Sequence, residues 1–354
     1  MNVLGIETSC DETAASVVKD GKYVLSNVVV SSLKDHQKYG GIIPEIASRL
    51  QLEYIHAIVD RALKEANVKL QNIDAVAVTQ EPGLIGSLLV GVSFARSLSF
   101  ALRKPLIPVD HIKAHLYANF LKLKKNSSKA ASKDSLPAVG LVVSGGHTSL
   151  YLVKDFKHFK LLGHTLDDAA GEAFDKVAKI LGLSYPGGPV IDRLAKEGKK
   201  TELNFSCAEL PGTLNFSFSG IKTAILYYQR DKQKNGKFSV AEVAYAFQKS
   251  VVKILVKKCL LACEKLKTKT LLIGGGVAAN SCLRSHLDQM AQKYGLDVYC
   301  PPLPFCMDNA AMIAGLGYQL NSDKRNQISR RFDQSAPSGE FCPEGQNLVR
   351  SQSC

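Results

Sequence analysis

Two stretches far apart in the chain are written to one plan, and that recurrence restricts the possible folds more than any other feature. Residues 3–18, VLGIETSCDETAASVV, and residues 139–153, VGLVVSGGHTSLYLV, each run as an apolar strand, a small polar turn and a returning strand. Repetition at such long range points to two related α/β halves rather than to a short-period array. A length of 354 residues accommodates two halves with well-buried cores.

The intervening segments fit that division. Residues 2–8 predict a buried strand, and Asp20-Gly21 marks a hairpin turn between the next two strands. A polar stretch runs from Ser31 to Ile43, followed by an amphipathic helix from Pro44 to about Asn67 and a strand over 74–80. EPGLIGSLLVGVSFARSLSFAL opens with a Gly/Pro turn and continues as a small-residue helix suited to close packing on a sheet. Residues 122–137, KLKKNSSKAASKDSLP, are polar and basic and predict a flexible link between a first lobe, 1–121, and a second, 138–320. The second lobe predicts a helix over 167–182, a YPGGP turn, a basic irregular region holding FSFSG, and the longest helix over 241–266. TLLIGGGVAANSCLR then reads as strand, glycine turn and helix start; DVYCPP gives a final strand and DNAAMIAGLGYQL a final helix with room to pack back on the first lobe. From about Asn321 to 354 the tail is polar and without periodicity, the pattern of disorder.

A net charge of +13 favours a polyanionic partner, commonly nucleic acid, although a basic chain can equally be merely soluble. Lys249, Lys253 and Lys257 stand one turn apart with Lys258 beside them, and Lys122, Lys124, Lys125, Lys129 and Lys133 crowd the link. Such patches are either solvated faces or phosphate contacts. Nine cysteines without a Cys-x-x-Cys pair, and an amino terminus that enters a strand directly, predict reduced thiols in a cytoplasmic protein. No run approaches the roughly 20 apolar residues of a membrane span, so no membrane association is expected.

Three polar turns follow three strands: Ser9 to Thr13, Ser144 to Thr148, and Gly274 to Asn280. In α/β folds ligands bind at the carboxyl ends of strands, and glycine turns expose amides that cradle phosphate oxygens. Neither GxxxxGK[ST] nor GxGxxG is present, so the P-loop and Rossmann readings fail. His111 and His115 in HIKAH project from one helical face a turn apart, which suits two metal ligands, and equally suits one buried and one solvated histidine. Asp308, at the start of the last helix, is either an N-cap or a third ligand; Asp175 is either a solvated helix residue or a site acid. Asp11 and Glu12, at the end of the first strand, can hold a metal, orient water or take a proton.

Taken in order, GIETSCDETAASVV, GGIIPEIASRLQ, VTQEPGLIGSLLVG, HIKAHLYA, VSGGHT, DDAAGEAFDKVAKILGLSYPGGP, FSFSGIKTA, GGGVAAN and PFCMDNAAMIA make residues 1–320 resemble a known family. It is that of the tRNA threonylcarbamoyladenosine transferases, bacterial TsaD with its KEOPS counterparts. The resemblance implies two related actin-like lobes, of the sugar kinase, Hsp70 and ribonuclease H-like kind, with the active site in the cleft between them. It implies transfer of the threonylcarbamoyl group from threonylcarbamoyl-AMP to N6 of adenosine 37, in tRNAs reading codons that begin with adenine, forming t6A and releasing AMP. By matching motif, His111, His115 and Asp308 look like ligands of one divalent metal ion per subunit, iron (Fe2+) ahead of zinc. Val142, Val143, Ser144, Gly145, Gly146, Asp175, Gly188, Asp192 and Asn280 look like substrate contacts, with Ser9, Gly274, Gly275 and Gly276 supporting the nucleotide. Asp11 or Glu12 assists proton transfer, and the sequence leaves open which.

The partners implied are tRNA, a TsaB-like pseudo-copy and a TsaE-like ATPase, with first-lobe helices including residues 44–65 meeting TsaB. Two other functions compete. A metallopeptidase would need the Glu of HExxH, which HIKAH lacks. A non-catalytic actin-like ATPase scaffold binding tRNA or partner proteins would have no need of an open metal site.

Overall fold

A computed structural model describes residues 1–123, 130–198, 201–235 and 239–321. The expected basic positions 124, 125 and 129 and the tail from 322 lie outside the described residues. The first half gives β1 (Asn2–Glu7), β2 (Glu12–Lys19), β3 (Tyr23–Val24), β4 (Val28–Ser31), α1 (Leu33–Gln37), α2 (Pro44–Ala66), β5 (Ala75–Glu81), α3 (Ile85–Leu102), β6 (Leu106–Asp110), α4 (His111–Tyr117) and β7 (Lys122–Leu123). The second gives β8 (Ala138–Val143), β9 (Thr148–Val153), β10 (Phe159–His164), α5 (Ala170–Ile180), α6 (Gly187–Ala195), α7 (Ser219–Asn235), α8 (Val240–Leu266), β11 (Thr270–Gly274), α9 (Ser281–Tyr294), β12 (Asp297–Tyr299) and α10 (Ala310–Asn321).

The repeated hairpins become the centres of two equivalent sheets. The first runs β6-β5-β1-β2-β3-β7, with β4 also on β2; the second runs β10-β9-β8-β11-β12. In each, a central antiparallel hairpin, β1/β2 or β8/β9, is extended by two parallel strands, β5 and β6 or β11 and β12. Parallel neighbours require crossover helices, and these supply α2 and α3 in one half and α5 to α9 in the other.

Three apolar cores separate the layers. One joins α2 and α3 to the outer face of the first sheet, one lies between the sheets, and one joins α5 to α9 to the second sheet. The middle layer is made by α4 and α10, which cross. After β6, α4 packs on β8 and β11; after β12, α10 packs on β1, β2 and β5. Met312, Ile313 and Leu316 of α10 are essentially fully buried, each favouring this arrangement by about 1.5–3 kcal/mol. Gly5 of β1 permits the approach, because a Cβ there would collide with the Ala310 carbonyl.

Local expectations hold at several points. Asp20 and Gly21 both adopt left-handed conformations, as a tight hairpin turn requires. Helix α2 begins at Pro44 and is closed by Asn67 in the left-handed region. Other expectations fail. The region holding FSFSG is not irregular throughout: α7 starts at Ser219, and its few apolar anchors, Ile221 and Ile225, are buried on one face of an otherwise polar helix. Within the expected link, Lys122–Leu123 pair with β3 and Ala131 is buried. Lys258 leaves the basic stripe altogether, since its buried Nζ donates to the carbonyls of Leu210 and Thr213. Finally, α3 is one helix long and apolar enough to cross a membrane by length and composition, with mean hydropathy 1.6, where the sequence reading found none. Its small residues Ser87, Gly91, Ala95 and Ser99 are buried, leaving Ile85, Leu89 and Phe100 exposed.

Candidate active site

The site lies where α4 and α10 meet. At the end of β6, the Asp110 side chain accepts the Lys113 amide at 3.0 Å and starts α4. On that helix the His111 and His115 rings stand 4.6 Å apart, edge to face at 79°. The cap of α10 is Asn309, whose Oδ1 accepts the Met312 amide at 3.0 Å. Asp308 is thereby released from capping and turns to the histidines. Its Oδ1 lies 3.5 Å from His111 Nε2 and 3.2 Å from His115 Nε2, and ligand atoms from the three residues fall within 4.8 Å of one another.

His115 tests whether this cluster suits a cation. The ring is fully buried, and neither nitrogen makes a hydrogen bond of acceptable geometry despite the nearby Asp308 oxygen. Leaving such groups unsatisfied costs about 1–3 kcal/mol each, a penalty that a metal ion at the ring would offset. Two imidazoles and a carboxylate are also the donor types that zinc and iron accept. The residues fit a divalent metal.

Burial shapes the electrostatics, and neighbouring charges modify it. Burial opposes charge on His111, but Asp308 and Glu7 outweigh it and raise the pKa to about 9. Burial pushes His115 below its ordinary value. Burial, reinforced by His111 and His115, brings His147 down to about 4, so that its ring is neutral. Burial also opposes ionisation of Asp308, yet His111 and His115 hold its carboxyl well below the usual range. For Glu12, burial and then the charges of Asp308 and Asp11 drive the carboxyl well above that range.

The cluster borders a cleft of about 800 Å³, within the size range of small-molecule sites. Ser9, Asp11, Glu12, His111, Ser144, Gly145, Gly146, Asp175, Gly188, Asp192, Gly276, Asn280 and Asp308 all line it. His115, which is fully buried, does not, and neither do Val142, Val143, Gly274 and Gly275. Val142 and Val143 are fully buried β8 residues, so their side chains belong to the core. Gly274 has a packing role: a Cβ there would meet the His115 carbonyl oxygen at 2.6 Å.

Several lining residues also frame the cleft. Asp175 accepts the Gly187 amide at 2.6 Å and holds the start of α6. Asp192 accepts the Ser281 hydroxyl at 2.9 Å, joining α6 to α9. Asn280 caps α9 through the Leu283 amide at 2.9 Å and donates to Gln248 Oε1 at 2.8 Å.

Three contributors escaped the sequence reading. His147 lines the cleft, although in SGGHT the glycines carry the visible signal. Pro82 to Leu84 add a fourth turn after β5, the equivalent of β11; the Gly/Pro turn was visible, but its alignment with the glycine turn was not. Glu7, whose Oε2 lies 3.0 Å from His111 Nδ1, looked like an interior strand residue.

A family model described as TsaD, tRNA N6-adenosine threonylcarbamoyltransferase, matches residues 23–315. Relatives carrying that enzyme name include one from Clostridium botulinum strain 657, 50% identical over 90% of this chain and 92% of the relative. Another from Dictyoglomus turgidum is 48% identical over 90% of this chain and 93% of its own length. Among solved structures, full-length HypF in phosphate- and nucleotide-bound form superposes with a TM-score of 0.60 at 15% identity, over 91% of this chain and 47% of that one. Component A of (R)-2-hydroxyglutaryl-CoA dehydratase from Acidaminococcus fermentans gives 0.52 at 14% identity, over 90% and 98%. These structural likenesses show the α/β, actin-like fold that the family resemblance implied and with which the repeated hairpins agree. The match across most of its length shows that this chain belongs to the tRNA N6-adenosine threonylcarbamoyltransferase family.

Proposed function

We propose that this protein is an acyltransferase that moves the threonylcarbamoyl group of threonylcarbamoyl-AMP to N6 of adenosine 37 in tRNA, forming t6A and releasing AMP. The observation that carries the reading is the His111, His115, Asp308 cluster at the edge of a turn-lined cleft, in a chain of this family. His111, His115 and Asp308 would hold one divalent ion, Fe2+ ahead of zinc, which supplies Lewis acidity toward a carbonyl or carboxylate oxygen.

The chain's own groups account for the rest. The exposed Gly145 and Gly146 present backbone at the Ser144 turn where an adenylate phosphate would lie, and the turns at Ser9, Gly276 and Gly83 close round it. Burial and then the charges of Asp308 and Asp11 disfavour ionisation of Glu12, and we assign to Asp11, on the same turn, the role of receiving the N6 proton as the acyl group transfers. Six carboxylates line the cleft, and its lysine and arginine are Lys196 and Arg193, both exposed near the end of α6. We assign these two to tRNA backbone phosphates. Exposed Leu52, Ile85, Leu89 and Phe100 on α2 and α3 offer an apolar face for a TsaB-like partner; a TsaE-like ATPase completes the expected set.

The test supplies threonylcarbamoyl-AMP and unmodified tRNA, with and without the partner proteins, and seeks the modified nucleoside by mass spectrometry. Product is expected from the complete mixture, and its absence there refutes the reading. Asp11→Asn is expected to abolish transfer on bound tRNA, and full activity in that variant removes Asp11 from the proton path.

A further inference from the structure

Behind His111, on the side away from Asp308, stands a carboxylate outside the metal-type cluster. Glu7 ends β1 and is fully buried. Its Oε1 accepts the Ser9 amide at 2.5 Å, while Oε2 accepts the Thr79 hydroxyl at 2.6 Å and lies 3.0 Å from His111 Nδ1. The Ser9 hydroxyl approaches the same ring nitrogen at 3.3 Å. Glu7 and Thr79 lie at the ends of the neighbouring parallel strands β1 and β5, and β6, beside β5, leads directly into His111.

An ionised carboxylate only accepts hydrogen bonds. Both oxygens of Glu7 are taken by donors, Oε1 by the Ser9 amide in the turn after β1 and Oε2 by the Thr79 hydroxyl of β5, and the two bonds hold the carboxylate in place. Its Oε2 then calls for a hydrogen on His111 Nδ1, and the opposite nitrogen, Nε2, is the one that faces Asp308 at 3.5 Å. We propose that Glu7, locked by Thr79 and the Ser9 amide, is a positioning residue that keeps His111 protonated at Nδ1 and offers the Nε2 lone pair to the metal ion. The proposal rests on the metal reading above. It also makes the site asymmetric. Among the described residues His115 makes no hydrogen bond of acceptable geometry at either ring nitrogen, so its ring is oriented by helix packing.

Partners behind metal-binding histidines typically alter affinity about 10–100-fold. Glu7→Gln is the sharpest variant because its amide can donate to Nδ1 and so favours the opposite tautomer. Thr79→Val removes the lock while preserving volume, and Thr79→Ser retains the hydroxyl. Dissociation constants for Co2+, measured against a competing chelator, are expected to rise at least about tenfold in Glu7→Gln and less in Thr79→Val, with Thr79→Ser near wild type. Nitrogen-15 spectra of histidine-labelled protein with Zn2+ bound are expected to show the His111 hydrogen on Nδ1 in wild type and a changed pattern in Glu7→Gln. A merely structural role would lower the melting temperature and leave both readouts unmoved. Glu7→Gln that folds with wild-type Co2+ affinity overturns the proposal; if that variant does not fold, unchanged affinity in Thr79→Val overturns it. Wild-type protein that binds neither ion refutes the metal reading itself and this proposal with it, whereas wild-type binding with indifferent variants refutes this proposal alone.

Discussion

Gly274→Ala links the packing of the fold most directly to the site. The added Cβ would lie 2.6 Å from the His115 carbonyl oxygen and 2.7 Å from its carbon, backbone atoms of the helix that carries two candidate ligands. Ordinary contact begins at 3.4 Å, so the two backbones must separate by roughly 0.8 Å. Neither side yields easily. Gly274 is paired with Val142 of β8, and α4 is held between β8, β11 and α10. Overpacking of this kind costs about 1–3 kcal/mol. Metal–ligand distances tolerate only about 0.2 Å, so a shift of His115 on that scale is expected to lower metal affinity more than tenfold. Differential scanning calorimetry with metal analysis of the purified protein measures both effects. Gly182→Ala, where a Cβ meets nothing within 4 Å but the backbone is left-handed at φ +72, is the control for backbone strain without a clash: it is expected to lose stability and keep its metal. Gly274→Ala with wild-type melting temperature and metal content would refute the packing argument.

The other expectations concern the supports of the second sheet and the ligand cluster itself. Asp167 accepts the Ser217 and Ser219 hydroxyls at 2.6 and 2.7 Å and the Phe218 and Ser219 amides at 2.7 and 3.2 Å. Burial is the largest single influence and opposes its ionisation, but the Ser217, Ser219 and Phe218 bonds together outweigh it and lower its pKa. Its stabilisation is therefore complete above the unfolded value of about 3.9 and fades as pH falls through the lower folded value. Asp167→Ala is expected to cost about 1–2 kcal/mol at pH 7, after allowance for solvent screening, and to flatten the acid limb in urea titrations; an unchanged limb counts against it. Lys258→Met is expected to cost about 1–3 kcal/mol in urea unfolding, and Lys253→Met, on the exposed stripe, less than about 0.5 kcal/mol; equal costs would return Lys258 to the surface patch. Finally, His111→Ala, His115→Ala and Asp308→Ala should each lose bound metal, and undiminished metal content in all three would leave the cluster without its assigned role.

The amino-acid sequence by itself determined the parts whose causes are local. Hydrophobic runs ending in small polar turns set β1, β8 and β11 and the turns beyond them; Asp20-Gly21 set a hairpin; Pro44 and Asn67 bounded α2; the spacing in HIKAH put both histidines on one helix. These features depend on backbone preferences and periodicities spanning a few residues, and so they are readable from neighbours in the chain. What only the tertiary structure decided is which groups those parts bring together. Asn309 rather than Asp308 caps α10, Asp192 ties two helices together, Lys258 is buried on loop carbonyls, and Glu7 meets His111 at a sequence separation of 104. A polar side chain takes the partner that strand order and helix crossing put within about 3 Å, and no short stretch of sequence carries that distance. The crossing of α4 and α10 between two equivalent sheets is what turns a pair of helical histidines and a distant aspartate into one site.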